Sequence, residues 1–169
     1  MGGRRAPENP HAEKIGVFAG MMISQRTLAE TLDLQHSRIQ FTPDLASDLI
    51  RIPSVSPRDT ADCARLGIAP GEKAIAEALA DRLCKAGVEV TLQEVVADRP
   101  NLLARLRGAG DGRVLCFNGH LDTVGAFDMG ARAFQPEVRE GRLYGRGAAD
   151  VKGSLACFTL VLETLARSG

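Results

Sequence analysis

Hydrophobic residues recur at helical spacing in three segments of the chain. Residues 72–86 carry apolar side chains at every fourth position and are followed by Gly87, a residue type that readily adopts the left-handed conformation ending many helices. Residues 151–167 repeat apolar side chains at spacings of three and four. A third helix is predicted from Thr42, a hydroxyl N-cap, with Pro43 in its first turn.

Between these helices the hydrophobic pattern changes to that of strands. Residues 88–92 alternate apolar and polar side chains, 101–107 form a second strand-like run, and 137–144 resemble a short hairpin. Residues 114–118 are nearly all apolar, which is typical of a strand covered on both faces. We therefore predict an α/β fold of three-layer αβα type, in which strand 114–118 is interior to a central, mostly parallel sheet.

The first forty residues give mixed signals. The apolar run 15–23 is too short to cross a bilayer and follows acidic residues, so it predicts neither a membrane span nor a signal peptide. A helix-like stretch follows at 28–36, and residues 53–71 resemble a loop. We predict that residues 1–40 form an extension of unclear role and that 41–169 belong to one domain.

Composition and charge narrow the range of functions. Apolar residues make up 44% of the 169 residues, and 21 basic residues balance 21 acidic ones, which favours a globular protein without a nucleic-acid or membrane partner. The four cysteines contain no C-x-x-C pair. Cys84, Cys116 and Cys157 lie in apolar patterns, so we expect buried, reduced thiols in a cytoplasmic protein.

His120 and Asp122 directly follow the apolar strand 114–118. Side chains two positions apart in an extended chain point the same way, so Asp122 can accept the proton on one imidazole nitrogen while the other nitrogen faces a metal. The alternative is a structural histidine at a strand end beside an acid that caps a turn.

Asp150 follows a loop containing Gly145 and Gly147 and precedes the last helix. Glycines beside a carboxylate allow the close approach and unusual backbone angles that a tight metal-binding turn requires. A helix N-cap would explain Asp150 but not these glycines. Nucleotide binding is disfavoured, because Asp150 occupies the position of the third glycine in a dinucleotide-binding motif.

Together, the stretches GHLDTV and LYGRGAADVKG resemble those of the co-catalytic zinc hydrolases that include acetylornithine deacetylase, succinyl-diaminopimelate desuccinylase and aminoacylase. The resemblance covers roughly residues 42–169 and includes LIRIPSVSP and the Arg99-Pro100-Asn101 turn. It implies a zinc-peptidase-like catalytic domain that cleaves the amide bond of an N-acyl amino acid or small peptide, as a deacylase or exopeptidase.

The resemblance also implies roles for three residues. His120 would bind one metal, Asp150 would bridge both metals, and Asp122 would belong to the catalytic machinery as the carboxylate that holds the imidazole of His120. A complete site would contain two Zn²⁺, with Co²⁺ or Mn²⁺ as alternatives. The resemblance further implies a cis peptide bond between Asp150 and Val151 and a parent enzyme able to form a homodimer.

In such enzymes a Glu-Glu pair, a later acid and a distant histidine complete the site, and none of these lies within the 169 residues. Glu163 is no substitute, since we expect it on a solvated face of the last helix. We therefore interpret the chain as an amino-terminal fragment that is inactive alone. The alternative is a naturally short, non-catalytic relative acting as a binding or interaction module.

Overall fold

The computed structural model describes residues 18–24, 43–108 and 114–168. The strands in these ranges are β1 (Phe18–Ser24), β2 (Glu89–Val96), β3 (Arg99–Arg105), β4 (Val114–His120), β5 (Glu137–Arg139) and β6 (Arg142–Tyr144). The α-helices are α1 (Pro43–Arg51), α2 (Thr60–Leu66), α3 (Lys73–Lys85) and α4 (Gly153–Ser168). The helix-like stretch at 28–36 lies outside the described residues.

Strands β1 to β4 form one sheet in the order β2-β3-β1-β4. Strand β1 runs parallel to β3, whereas the pairs β1–β4 and β2–β3 are antiparallel. The α/β class is confirmed, but the described strands do not form a mostly parallel sheet. A tight turn in which Asp98 has a φ of 61° reverses the chain between β2 and β3 and makes that pair antiparallel.

Strand β4 does not occupy the interior position that its apolar sequence predicts. It lies at the edge of the described sheet and pairs with β1 alone. Leu115 and Phe117 face the helices, and the Phe117 ring stacks on Phe158 of α4, whereas Val114 and Cys116 are exposed. Because successive side chains of a strand point to opposite faces, only half of this apolar run is packed.

Strand β1 comes from the first forty residues, which the sequence treats as a separate extension. Residues 18–24 pair with β3 on one side and β4 on the other. This part of the extension therefore belongs to the sheet. The sequence did not predict this strand, because residues 18–23 are all apolar or glycine and show no alternation of apolar and polar side chains.

Helices α1, α3 and α4 pack together on one face of the sheet. Strand β3 points Leu102 and Ala104 into this core and leaves Leu103 exposed on the other face. Within the described ranges the molecule thus has two layers, and the predicted third layer is not found there. The largest fully buried apolar side chains of these helices are Ile50, Ile75, Leu79, Leu83, Leu155, Leu162 and Leu165.

Three helices predicted from periodicity are confirmed as α1, α3 and α4. Helix α2 was missed, because it is short and buries only Cys63. All four thiols are free, yet Cys84, Cys116 and Cys157 are exposed, so their predicted burial is wrong. They lie among apolar neighbours but on the outer sides of their elements. Among the described residues, none of the helices has the length and apolar character needed to cross a membrane.

Candidate metal centre

Strand β4 delivers His120 to the end of the sheet, and a short backbone pairing holds the residues that follow. Thr123 donates its N–H to the Ser54 carbonyl at 2.8 Å and accepts the Ser56 N–H at 2.9 Å. The intervening Val55 is fully buried and forms a parallel bridge with Thr123. Asp122 is therefore fixed between the strand and this bridge.

Asp150 lies in a distorted turn, Ala148–Lys152, that precedes helix α4. Its backbone is non-helical, and the Asp150–Val151 peptide bond is cis, as the resemblance implies. The N–H of Lys152 closes the turn by donating to the Gly147 carbonyl at 2.9 Å. Gly147 has a φ of 82°, and a Cβ there would lie 2.8 Å from Thr123 Cγ2. The glycine thus lets this turn approach the segment after β4.

The structure brings the three predicted residues together. His120 Nε2 lies 2.9 Å from Asp150 Oδ1. On the other side of the ring, Nδ1 lies 2.9 Å from the Asp122 carbonyl oxygen and 3.2 Å from Asp122 Oδ1. All three residues line a cleft of about 300 Å³. Their convergence is observed, whereas the roles of His120 and Asp150 as metal ligands and of Asp122 as the carboxylate that holds His120 stay predictions.

The electrostatics around His120 favour positive charge. Burial lowers the pKa of His120, but the hydrogen bond with Asp150 and the carbonyl and carboxylate of Asp122 together raise it above its ordinary value. Asp150 is the most open of the three, with 87% of its side chain exposed. The cleft therefore presents an imidazole and an accessible carboxylate to solvent.

Lys152 is a buried residue that the sequence analysis did not single out. Its side chain is 1% exposed, and Nζ donates to the carbonyls of Leu49 at 2.9 Å and Ile52 at 2.7 Å. Burial lowers the pKa of Lys152 to about 7. Through its two hydrogen bonds, Lys152 ties the Asp150 turn to the carboxyl end of α1. The sequence feature that could have indicated this buried residue is a lysine at the start of an apolar helix.

Two ion pairs that involve α3 or its N-cap residue and bury their glutamates were also missed. Glu72, immediately before α3, is fully buried against Arg99. Glu163 pairs with Arg82 at 2.6 Å and is 5% exposed, so the prediction that it lies on a solvated face is wrong. Periodicity could not reveal these pairs, because their partners are 27 and 81 residues apart in sequence.

The described residues do not supply a complete metal site. No group of three or more His, Cys, Asp or Glu side chains within them is placed to hold a metal ion. A catalytic zinc usually has three protein ligands and a water. His120 and Asp150 have suitable chemistry, since imidazole and carboxylate are ligands of zinc, cobalt and manganese.

The part of the chain that contains this site is similar to known proteins. Residues 116–169, which contain all three site residues, match the model of Peptidase family M20/M25/M40. The chain belongs to this family. It is 40% identical to the succinyl-diaminopimelate desuccinylase of Thioalkalivibrio sulfidiphilus over 125 residues, and 42% identical to that of Ectopseudomonas mendocina over 126. The corresponding protein of Bradyrhizobium diazoefficiens is 42% identical over 133 residues.

These alignments are long for this chain but short for the relatives. They cover 72% of the chain and 29% of the first two desuccinylases, and 74% and 30% for the third. The chain therefore spans about three tenths of the length of the curated relatives that it matches. Similarity over this share of the relatives does not by itself assign an activity to these residues.

Proposed function

We propose that the chain supplies two ligands of the metal centre of an amidohydrolase that cleaves the amide bond of N-acyl amino acids or small peptides. Family membership and the similarity to succinyl-diaminopimelate desuccinylases support this class of reaction. His120 and Asp150 are the proposed ligands, and Asp122 is the residue that orients His120. An N-succinyl amino acid is the first substrate class to test.

The contact between His120 and Asp150 is the structural observation that best supports the proposal. Nδ1 faces the carbonyl oxygen of Asp122, which can only accept, so the Nδ1 position carries a proton. In a neutral ring Nε2 then has a lone pair, and it lies 2.9 Å from a carboxylate oxygen, which is also an acceptor. Two facing acceptors need a cation or a proton between or beside them.

This arrangement fits a divalent metal. A histidine held at one nitrogen by a carbonyl or carboxylate, with its other nitrogen directed at the metal, is the usual form of a metal-binding imidazole. When bound, such a metal supplies Lewis-acid activation of the scissile carbonyl and of water. Zn²⁺ is the proposed ion, two per complete site, with Co²⁺ or Mn²⁺ as alternatives. The remaining ligands and the general base are proposed to lie outside the described residues.

Two further features belong to the same proposal. The free thiols agree with a reducing compartment such as the cytoplasm. The resemblance motivates a homodimeric complete enzyme acting on a small molecule.

The proposal is tested by measuring Co²⁺ and Zn²⁺ binding to the 169-residue chain by calorimetry and by Co²⁺ absorption. We expect weak binding. Removing an outer partner of a metal ligand typically lowers metal affinity roughly 10- to 100-fold, and His120→Ala, which removes a ligand itself, should lower it by at least as much. Asp150→Ala should act similarly, whereas Glu77→Ala, on the exposed side of α3, should change nothing. Equal affinity in wild type and His120→Ala would contradict the proposal.

A further inference from the structure

A row of charged side chains connects the buried start of helix α3 to His120. The Glu72 carboxylate accepts hydrogen bonds from Arg99 Nε at 2.8 Å and from Arg99 Nη2 at 2.5 Å, so the pair is bidentate. Although Glu72 is the N-cap of α3, its side chain makes no capping hydrogen bond. The carboxylate is instead committed to Arg99.

The same guanidinium faces the candidate site. Arg99 Nη2 lies 4.0 Å from Asp122 Oδ2, while Asp122 Oδ1 lies 3.2 Å from His120 Nδ1. Asp122 Oδ1 thus faces His120, while Oδ2 lies within ion-pair distance of Arg99 but beyond a hydrogen bond. The side chains of Arg99 and Asp122 are 25% and 30% exposed, so solvent screens their attraction only in part.

Backbone contacts fix both ends of this row. Gly71 has a φ of 107°, and a Cβ there would lie 3.1 Å from the Asp98 carbonyl oxygen. Because this position is a glycine, Glu72 can approach Arg99, the residue that follows Asp98. Gly71 also donates its N–H to the carbonyl of Val55, the residue that bridges to Thr123 beside Asp122. One short segment therefore sets the position of Arg99 relative to Asp122.

We propose that Arg99 is a positioning residue for this site: it holds the Asp122 carboxylate so that Asp122 keeps His120 in the Nδ1–H form with Nε2 directed at Asp150. Glu72 in turn fixes the guanidinium. As far as metal binding is concerned, the inference rests on the proposed function. The orientation and tautomer of His120 can be tested without any metal.

The alternative is that Glu72–Arg99 only joins α3 to β3. The chain provides a matched control in Arg82–Glu163, which also pairs an arginine with a buried glutamate and joins α3 to α4. Among the described residues, neither Arg82 nor Glu163 forms a hydrogen bond or ion pair with His120. Arg99→Lys and Arg82→Lys each keep the positive charge and lose the planar guanidinium. A purely structural role predicts the same kind of effect for both variants.

The first measurement is the imidazole ¹⁵N spectrum of the metal-free, labelled chain. His120→Ala identifies the His120 signals among those of the three histidines. The spectrum is recorded at a pH well above the raised pKa of His120, so that the ring is neutral. We expect Arg99→Lys to shift the His120 nitrogens towards an average of the two neutral tautomers, and Arg82→Lys to leave them unchanged. Because Arg99→Lys leaves Glu72 with a poorer partner, the double variant Glu72→Gln/Arg99→Gln, which removes both charges together, provides a second test with the same expected shift.

The second measurement is Co²⁺ affinity in a double-mutant cycle. Arg99→Lys should weaken binding about tenfold in the wild type, as the loss of an outer partner does, and should have no further effect in an Asp122→Asn background. The inference is overturned if Arg99→Lys and Glu72→Gln/Arg99→Gln both leave the His120 signals and the Co²⁺ affinity unchanged. It is also overturned if the effect of Arg99→Lys persists in the Asp122→Asn background. If the chain binds no Co²⁺ but the His120 signals shift, the positioning role stands and the proposed function fails.

Discussion

Gly147 shows how strongly the candidate site depends on single residues. Its φ of 82° is accessible to glycine at little cost, and a Cβ would also lie 3.2 Å from Lys152 Cδ, in addition to its contact with Thr123. Two constraints therefore act on one position, an unusual backbone angle and a lack of space. Asp150 reaches His120 only if both are satisfied.

Replacing Gly147 by alanine should separate these constraints when it is compared with Gly141→Ala. Gly141 has a similar φ of 71°, but nothing lies within 4 Å of its hypothetical Cβ. We expect Gly141→Ala to lower the free energy of unfolding by about 1 kcal/mol through backbone strain alone. Gly147→Ala should lower it by about 2 to 4 kcal/mol, because crowding adds to the strain. Urea unfolding measures both, and equal losses would show that the crowding is absent.

Cys63 should be the least reactive thiol of the four. Burial raises its pKa, and the nearby carboxylates of Asp59 and Asp62 raise it further, so less thiolate is present at a given pH. At pH 8 we expect iodoacetamide to modify Cys84, Cys116 and Cys157 well before Cys63. Peptide mass spectrometry gives the order, with the urea-unfolded chain as the control in which all four react. Early labelling of Cys63 in the folded chain would contradict its burial.

Among the elements, the Asp150 turn and helix α1 depend on each other. Lys152 belongs to the turn, but its ammonium satisfies carbonyls at the end of α1, which have few partners of their own at a helix terminus. Gly145, on the other side of the turn, faces α1 as well, since a Cβ there would lie 2.5 Å from Ile50 Cγ2. Helix α1 thus supports the part of the chain that carries Asp150.

The Lys152→Met variant should reveal this dependence. Methionine preserves much of the buried volume but cannot donate, so the Leu49 and Ile52 carbonyls each lose a donor and we expect a loss of about 2 to 3 kcal/mol. Lys85→Met is the control, because within the described ranges Lys85 pairs with exposed Asp81 alone, and the change should alter stability by less than about 0.5 kcal/mol. Urea unfolding of the two variants gives the comparison. Similar stabilities would mean that the Lys152 contacts contribute little.

At the scale of the whole molecule, the number of metal ligands among the described residues limits what the chain can catalyse. General-base catalysis needs a proton acceptor within hydrogen-bond reach of the attacking water, and catalytic zinc usually needs three protein ligands. The described residues contain no group of that size. A non-catalytic binding module would share this property, so the ligand count does not separate it from a part of an enzyme.

We therefore expect the 169-residue chain to hydrolyse neither N-succinyl nor N-acetyl amino acids when Zn²⁺ or Co²⁺ is added. Amine release measured with fluorescamine, with His120→Ala as the background control, provides the assay. Metal-dependent turnover by the chain that His120→Ala abolishes would show that a complete site forms within these residues. That result would refute the interpretation of an inactive fragment.

Much of the fold could be predicted because it depends on local spacing. Helices α1, α3 and α4 and the hairpin β5–β6 have patterns that nearest neighbours in sequence determine. The edge position of β4 and the inclusion of β1 in the sheet could not be predicted in this way. An apolar run does not specify which strand pairs beside it or whether a second layer covers it.

For the site, the sequence alone was enough to predict the candidate residues. His120, Asp122 and Asp150 are identified by residue type, by glycine-rich surroundings and by the order of two motifs, all of which are local. Only the tertiary structure showed that Lys152, Arg99 and Glu72 lie beside this site. These contacts join residues up to 103 positions apart, and the energies of buried charges depend on partners that folding alone brings together.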